Sequence, residues 1–95
     1  MLGRAPYLQT DIHLASSGSV TLAAWVDSRI RSVDVVASRV DVAGRPLDPK
    51  GIVLRNNAGL EDVFWDGTDF VVITSSTADY QLVFVGVDGA VRRRI

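Results

Sequence analysis

The segment Trp65-Asp66-Gly67-Thr68-Asp69-Phe70-Val71-Val72-Ile73 decides how this chain is read. An aromatic residue leads into Asp-Gly, and a β-branched apolar run follows. Asp and Gly tolerate positive φ and suit the primed turns that join antiparallel strands. The segment therefore predicts a strand ending at Trp65, a turn on Asp66-Gly67, and a strand over residues 70–74. A weaker version lies about 50 residues earlier, from Leu14 to Ala24, with Ser16-Ser17-Gly18-Ser19 as its turn. The echo predicts a repeat protein.

Working outward, each unit offers four strands. In the first unit they fall at residues 12–15, 20–26 and 33–41, and in an irregular stretch over 47–54 that ends in Ile52-Val53-Leu54. Pro49 and Gly51 restrict that last stretch to an edge. Residues 20–26 carry apolar side chains on both faces, which predicts a strand covered above and below. In the second unit the strands fall at 62–65, 70–74, 80–87 and 90–95, with loops at 75–79 and Asp88-Gly89. No run has helical spacing, so the expected class is all-β. The units span residues 11–57 and 60–95 of one domain.

The units register at two offsets. Val20, Leu22 and Ala24 match Phe70, Val72 and Thr74 at an offset of 50, whereas Val35, Val40 and Gly44 match Tyr80, Val85 and Gly89 at 45. The difference is assigned to the loop after the second strand. Gly18 and Gly67 stand 49 apart, one residue out of step with the strands they introduce.

Composition bounds the function classes. Ninety-five residues make one small domain, and 10 basic against 11 acidic residues leave no electrostatic footprint for nucleic acid or an anionic membrane. Arg92-Arg93-Arg94 is expected to be a solvated terminal edge. With no cysteine, neither a disulfide framework nor a thiolate metal site is available. The first residues lack an apolar signal-peptide core, and no apolar run reaches the roughly 20 residues of a membrane helix. No cofactor motif is found.

The motifs also carry a resemblance. Trp65-Asp66-Gly67-Thr68-Asp69-Phe70 resembles the tryptophan-Asp-Gly turn in a group of bacterial, largely extracellular β-propeller repeats. Trp25-Val26-Asp27-Ser28-Arg29 is similar to their W-x-D-x-R. Residues 39–49, Arg39-Val40-Asp41-Val42-Ala43-Gly44-Arg45-Pro46-Leu47-Asp48-Pro49, resemble their R-V-D-x-x-G-x-x-L-D-P segment. The first unit has Ala15-Ser16-Ser17 where the turn motif would stand, and the second has Ser75-Ser76-Thr77-Ala78-Asp79 in place of W-x-D-x-R. The resemblance implies four-stranded propeller blades, two per chain, and an extracellular bacterial setting.

Closed propellers typically have four to eight blades, so two blades leave two apolar faces bare. The expectation is a non-enzymatic scaffold or binding module that closes a homo-oligomeric ring through its blade faces. A trimer of six blades comes first, with dimer and tetramer as alternatives. The chain as an excised piece of a larger propeller, or paired with another subunit, is a further alternative. A second class is a small carbohydrate-binding lectin, because sugars stack on aromatic rings. Its site residues would be Trp25 or Trp65 with Asp27 and Arg29, though packing between blades accounts for both tryptophans as well. A third is a glycosidase fragment drawing on Asp62, Asp66 and Asp69. His13 is the only histidine, which excludes a multi-histidine metal site within one chain.

Overall fold

The computed structural model describes residues 12–28 and 33–95. They form two four-stranded antiparallel sheets, and no helix occurs among the described residues. Sheet one runs β1 (His13–Ser16), β2 (Val20–Ser28), β3 (Val33–Asp41) and β4 (Ile52–Arg55), each strand pairing with the next. Sheet two runs in the same order through β5 (Gly59–Trp65), β6 (Phe70–Ser75), β7 (Tyr80–Val85) and β8 (Val91–Arg94).

The strands follow the apolar runs. The main departures are β2, which extends through Asp27 and Ser28, and β5, which begins at Gly59 rather than Asp62. Both extensions carry polar residues that pattern reading assigns to loops, yet their backbones complete ladders with β3 and β6. The turn at the centre of the argument is shifted by one residue. Asp66 N donates to Asp69 O at 3.0 Å, so Gly67-Thr68 is the central pair, and Gly67 has φ 101° at its first position. Asp66 has no positive φ; its carboxylate instead accepts from the N–H of Thr68 and Asp69 at 2.8 and 2.7 Å. Ser17 N to Val20 O, with Gly18 at φ 102°, repeats the arrangement.

The turns and the cross-strand pairing fix how the two units correspond. The first turns, closed by Ser17 N to Val20 O and by Asp66 N to Asp69 O, stand 49 apart. Thr21, which pairs with Val40, therefore corresponds to Phe70, which pairs with Val85, and Val40 stands 45 positions from its counterpart Val85. The expected 50-residue match of Leu22 to Val72 is therefore corrected: Leu22 corresponds to Val71. Gly18 and Gly67 were in step all along. The four-residue difference is also not in a loop. The β2–β3 hairpin is two rungs longer, through Asp27 opposite Asp34 and Ser28 opposite Val33.

The sheets stack face to face around one core. Its centre holds Leu22, Ala24, Val35 and Ala37 from sheet one and Phe70, Val72, Val83 and Val85 from sheet two, all with no exposed surface. At about 25 cal/mol per Å² of apolar surface, this burial dominates the stabilisation of so small a unit. Backbones approach most closely where β1 meets β5. Along the opposite margin, long arginine side chains span the gap.

Candidate functional site

The one-residue correction in register has a geometric consequence. Side chains alternate across a strand, so an odd change of offset exchanges faces. Leu22, on the inner face of sheet one, corresponds to Val71 on the outer face of sheet two. Phe70, on the inner face of sheet two, corresponds to Thr21 on the outer face of sheet one. Corresponding residues thus point the same way round, as in a rotational repeat. A two-fold sandwich would instead place corresponding residues against each other.

The internal junction is held by charge as well as apolar packing. Arg39 Nε and Nη2 reach Asp48 Oδ2 and Oδ1, each at 2.9 Å, and Arg39 Nη1 donates to Val87 O of sheet two at 3.1 Å. This fork holds the Asp48 carboxyl below the usual carboxylate range. Arg55 of β4 crosses to Thr74 Oγ1 at 2.9 Å and to Asp79, whose carboxyl is lowered by Arg55 first and by the Ser76 hydroxyl second. Arg94 of β8 returns the connection by donating to Leu54 O.

The faces pointing away from this junction are largely apolar and are exposed at Leu14, Val53, Phe64, Tyr80 and Ile95, whereas Val36, Val71 and Phe84 on the same faces are buried. That of sheet one bears Leu14, Ala23, Trp25, Val36 and Val53; Leu14 is 65% exposed and Val53 55%. That of sheet two bears Phe64, 44% exposed, with Val71 and Phe84 in the same cross-strand row. Ile73, Leu82, Tyr80 and Ile95 continue this face. Arg93 lies over the Phe84 ring, 4.2 Å from its centroid. The three terminal arginines are consequently more than a solvated edge: Arg92 pairs with Asp69 at 3.0 Å, and Arg94 is in the junction.

The two tryptophans lie on different surfaces. Trp65 packs against the core, tilted at 58° on Phe70 with ring centroids 4.9 Å apart. Trp25 is half-buried on the outer face of sheet one, opposite Val36. Asp27 lies two residues along the same strand, opposite Asp34. Arg29 lies outside the described residues. Trp25 and Asp27 therefore share a face, and Trp65 does not join them.

The carboxylates considered for hydrolysis are dispersed in role. Asp62 stands 3.6 Å from His13 Nδ1, Asp66 caps its turn, and Asp69 is buried against Arg92. Among the described residues no group of three or more His, Asp or Glu side chains is placed to hold a metal ion. Among the described residues no helix is long and apolar enough to cross a membrane.

Arg39 and Asp48, which clamp the junction, were not singled out from the sequence. The available signal was an arginine at an inward position of the apolar strand β3, with an aspartate nine residues later inside the same motif. Comparison with protein-family models, curated proteins and solved structures finds no match to the chain.

Proposed function

We propose that the chain is a non-enzymatic β-propeller unit of two blades that assembles through its blade faces into a closed ring, serving as a scaffold or binding module. The observation that carries this reading is the rotational correspondence of the two sheets. Each sheet turns corresponding residues the same way, and one apolar face is left partly exposed at either end. Close approach at β1 and β5, with arginines bridging the far margin, gives the pair the wedge form that propeller blades share. Closure by three copies makes six blades, and a heterologous contact that closes after a few copies avoids an open filament.

Light-scattering mass in solution tests the reading. A trimer gives about 31 kDa, three times the 10.3 kDa of one chain, and a folded monomer overturns the ring. A glycan-binding reading rests on Trp25 and Asp27 sharing a face. It competes with the ring, because assembly covers that face. Quenching of Trp25 fluorescence by sugars separates the two.

A further inference from the structure

Corresponding positions in the two sheets differ in size, and at the positions compared below sheet two carries the larger residue on both of its faces. In the internal junction sheet one presents small residues, Ala15, Ala24 and Ala37, toward the bulk of Trp65 and Phe70 from sheet two. On the outer face of sheet two, the counterparts of those three alanines are Phe64, Ile73 and Leu82. On the outer face of sheet one, the counterparts of Trp65, Phe70 and Val72 are Ser16, Thr21 and Ala23. The internal junction is small from sheet one and large from sheet two at these positions, and the outer faces keep that pairing.

We propose that the outer face of sheet two docks on the outer face of sheet one of a second copy of this chain, head to tail, and that neither face docks on its own kind. The inference rests on the ring reading and adds which face meets which. Protein interiors are packed as densely as organic crystals, so a face is matched when bulk on one side meets small side chains on the other. Two sheet-two faces brought together would set the exposed Phe64, Tyr80 and Ile95 of one copy against those of the next. Two sheet-one faces would oppose Ser16, Thr21 and Ala23 to themselves, and an unfilled gap forfeits dispersion contacts. Only the crossed pairing reproduces the contrast already present inside the chain. Beside these small residues the sheet-one face carries Leu14, Val36 and Val53, and at its margin Trp25. Its counterpart, Thr74, is where Arg55 docks in the internal junction, so this position lies at the margin where a long side chain spans the gap.

Two variants separate the possibilities. Leu14→Glu spoils the sheet-one face and Phe64→Glu the sheet-two face, both at exposed positions, so each chain retains its fold. Val53→Asp and Tyr80→Asp, at 55% and 74% exposure, are the replacements if either fails to give a wild-type unfolding transition. Native mass spectrometry and sedimentation are run on each variant alone and on the equimolar mixture. Each alone is expected at 10.3 kDa, and the mixture as a 1:1 dimer of about 21 kDa that grows no further, because its two remaining faces are the spoiled ones. A dimer of either variant alone, through its one intact face, overturns the head-to-tail pairing. So does a mixture that stays monomeric while wild type assembles. A monomeric wild type overturns the ring itself.

Discussion

Arg39 and Asp48 form a two-armed ion pair with both arms at 2.9 Å, each side chain less than a fifth exposed, and the third arm of the guanidinium holds Val87 O on the other sheet. Arg39 N also donates to Asp48 Oδ2 at 2.9 Å, so one carboxylate organises both a backbone and a side chain. Removing it leaves a largely enclosed guanidinium without its counter-charge. Asp48→Asn is expected to cost about 1–3 kcal/mol, below the fully buried range because some solvent reaches the pair. The Arg45–Asp41 pair, with Arg45 79% exposed, is the control: Arg45→Ala is expected to cost under about 0.5 kcal/mol. Urea unfolding of both variants measures the difference.

Acid stability follows from the same contacts. Asp48 and Asp79 have carboxyl groups held below their ordinary range by Arg39 and Arg55 respectively. A carboxylate lowered in the folded state binds fewer protons there than in the unfolded chain. Its contribution is therefore complete above about pH 4, near the unfolded value, and is lost as pH falls through the folded one. Unfolding midpoints recorded from pH 7 downward should decline in that acid range. The decline should be shallower in Asp48→Asn, and an unchanged slope would contradict the role given to Asp48.

The turns around Gly44 and Gly89 make a matched pair. Gly44, at φ 83°, has open space where a Cβ would stand. Gly89, at φ 86°, would place a Cβ 2.8 Å from Arg39 Nε. Gly44→Ala is expected to cost about 1 kcal/mol from the left-handed backbone alone. Gly89→Ala should cost more, because the added methyl also displaces the guanidinium that ties the sheets together. Thermal unfolding of the two variants, with Asp48→Asn added to each, shows whether the excess runs through Arg39.

The tryptophans report on different events. Phe70→Ala, which empties the ring space against Trp65 in a fully buried position, is expected to cost about 3–5 kcal/mol and to shift Trp65 emission. Trp25 emission, isolated in a Trp65→Phe variant, is expected to move to shorter wavelength as protein concentration rises and the outer face of sheet one becomes covered. Dilution of Trp25→Phe should leave the remaining Trp65 emission unchanged.

The strands were legible because period-two apolar alternation and glycine-bearing turns are local signals, and β3 (Val33–Asp41) has the expected bounds. The ends of β2 and β5 were not. Asp27-Ser28 and Gly59-Leu60-Glu61 gain strand structure from hydrogen bonds to β3 and β6, partners that a local window does not contain. Trp25 and Trp65 were read as alternative sugar-stacking residues because residue type suggests stacking. Which face each occupies depends on the pairing of its own strand, Trp25 opposite Val36 and Trp65 opposite Phe70.

By itself, then, the sequence determined that this chain is all-β, that it is built from two related four-strand units, and that glycine turns separate the first two strands of each. These follow from residue type and spacing, which act within a few positions. The tertiary structure decided that the offset into the second strand is 49, through the equivalent turns Ser17 N to Val20 O and Asp66 N to Asp69 O. Hydrogen bonds across the turns set that correspondence, and one residue of difference matches each inner side chain of one unit to an outer one of the other. The pairing within each sheet places Trp65 against the core and Trp25 on the outer face of sheet one.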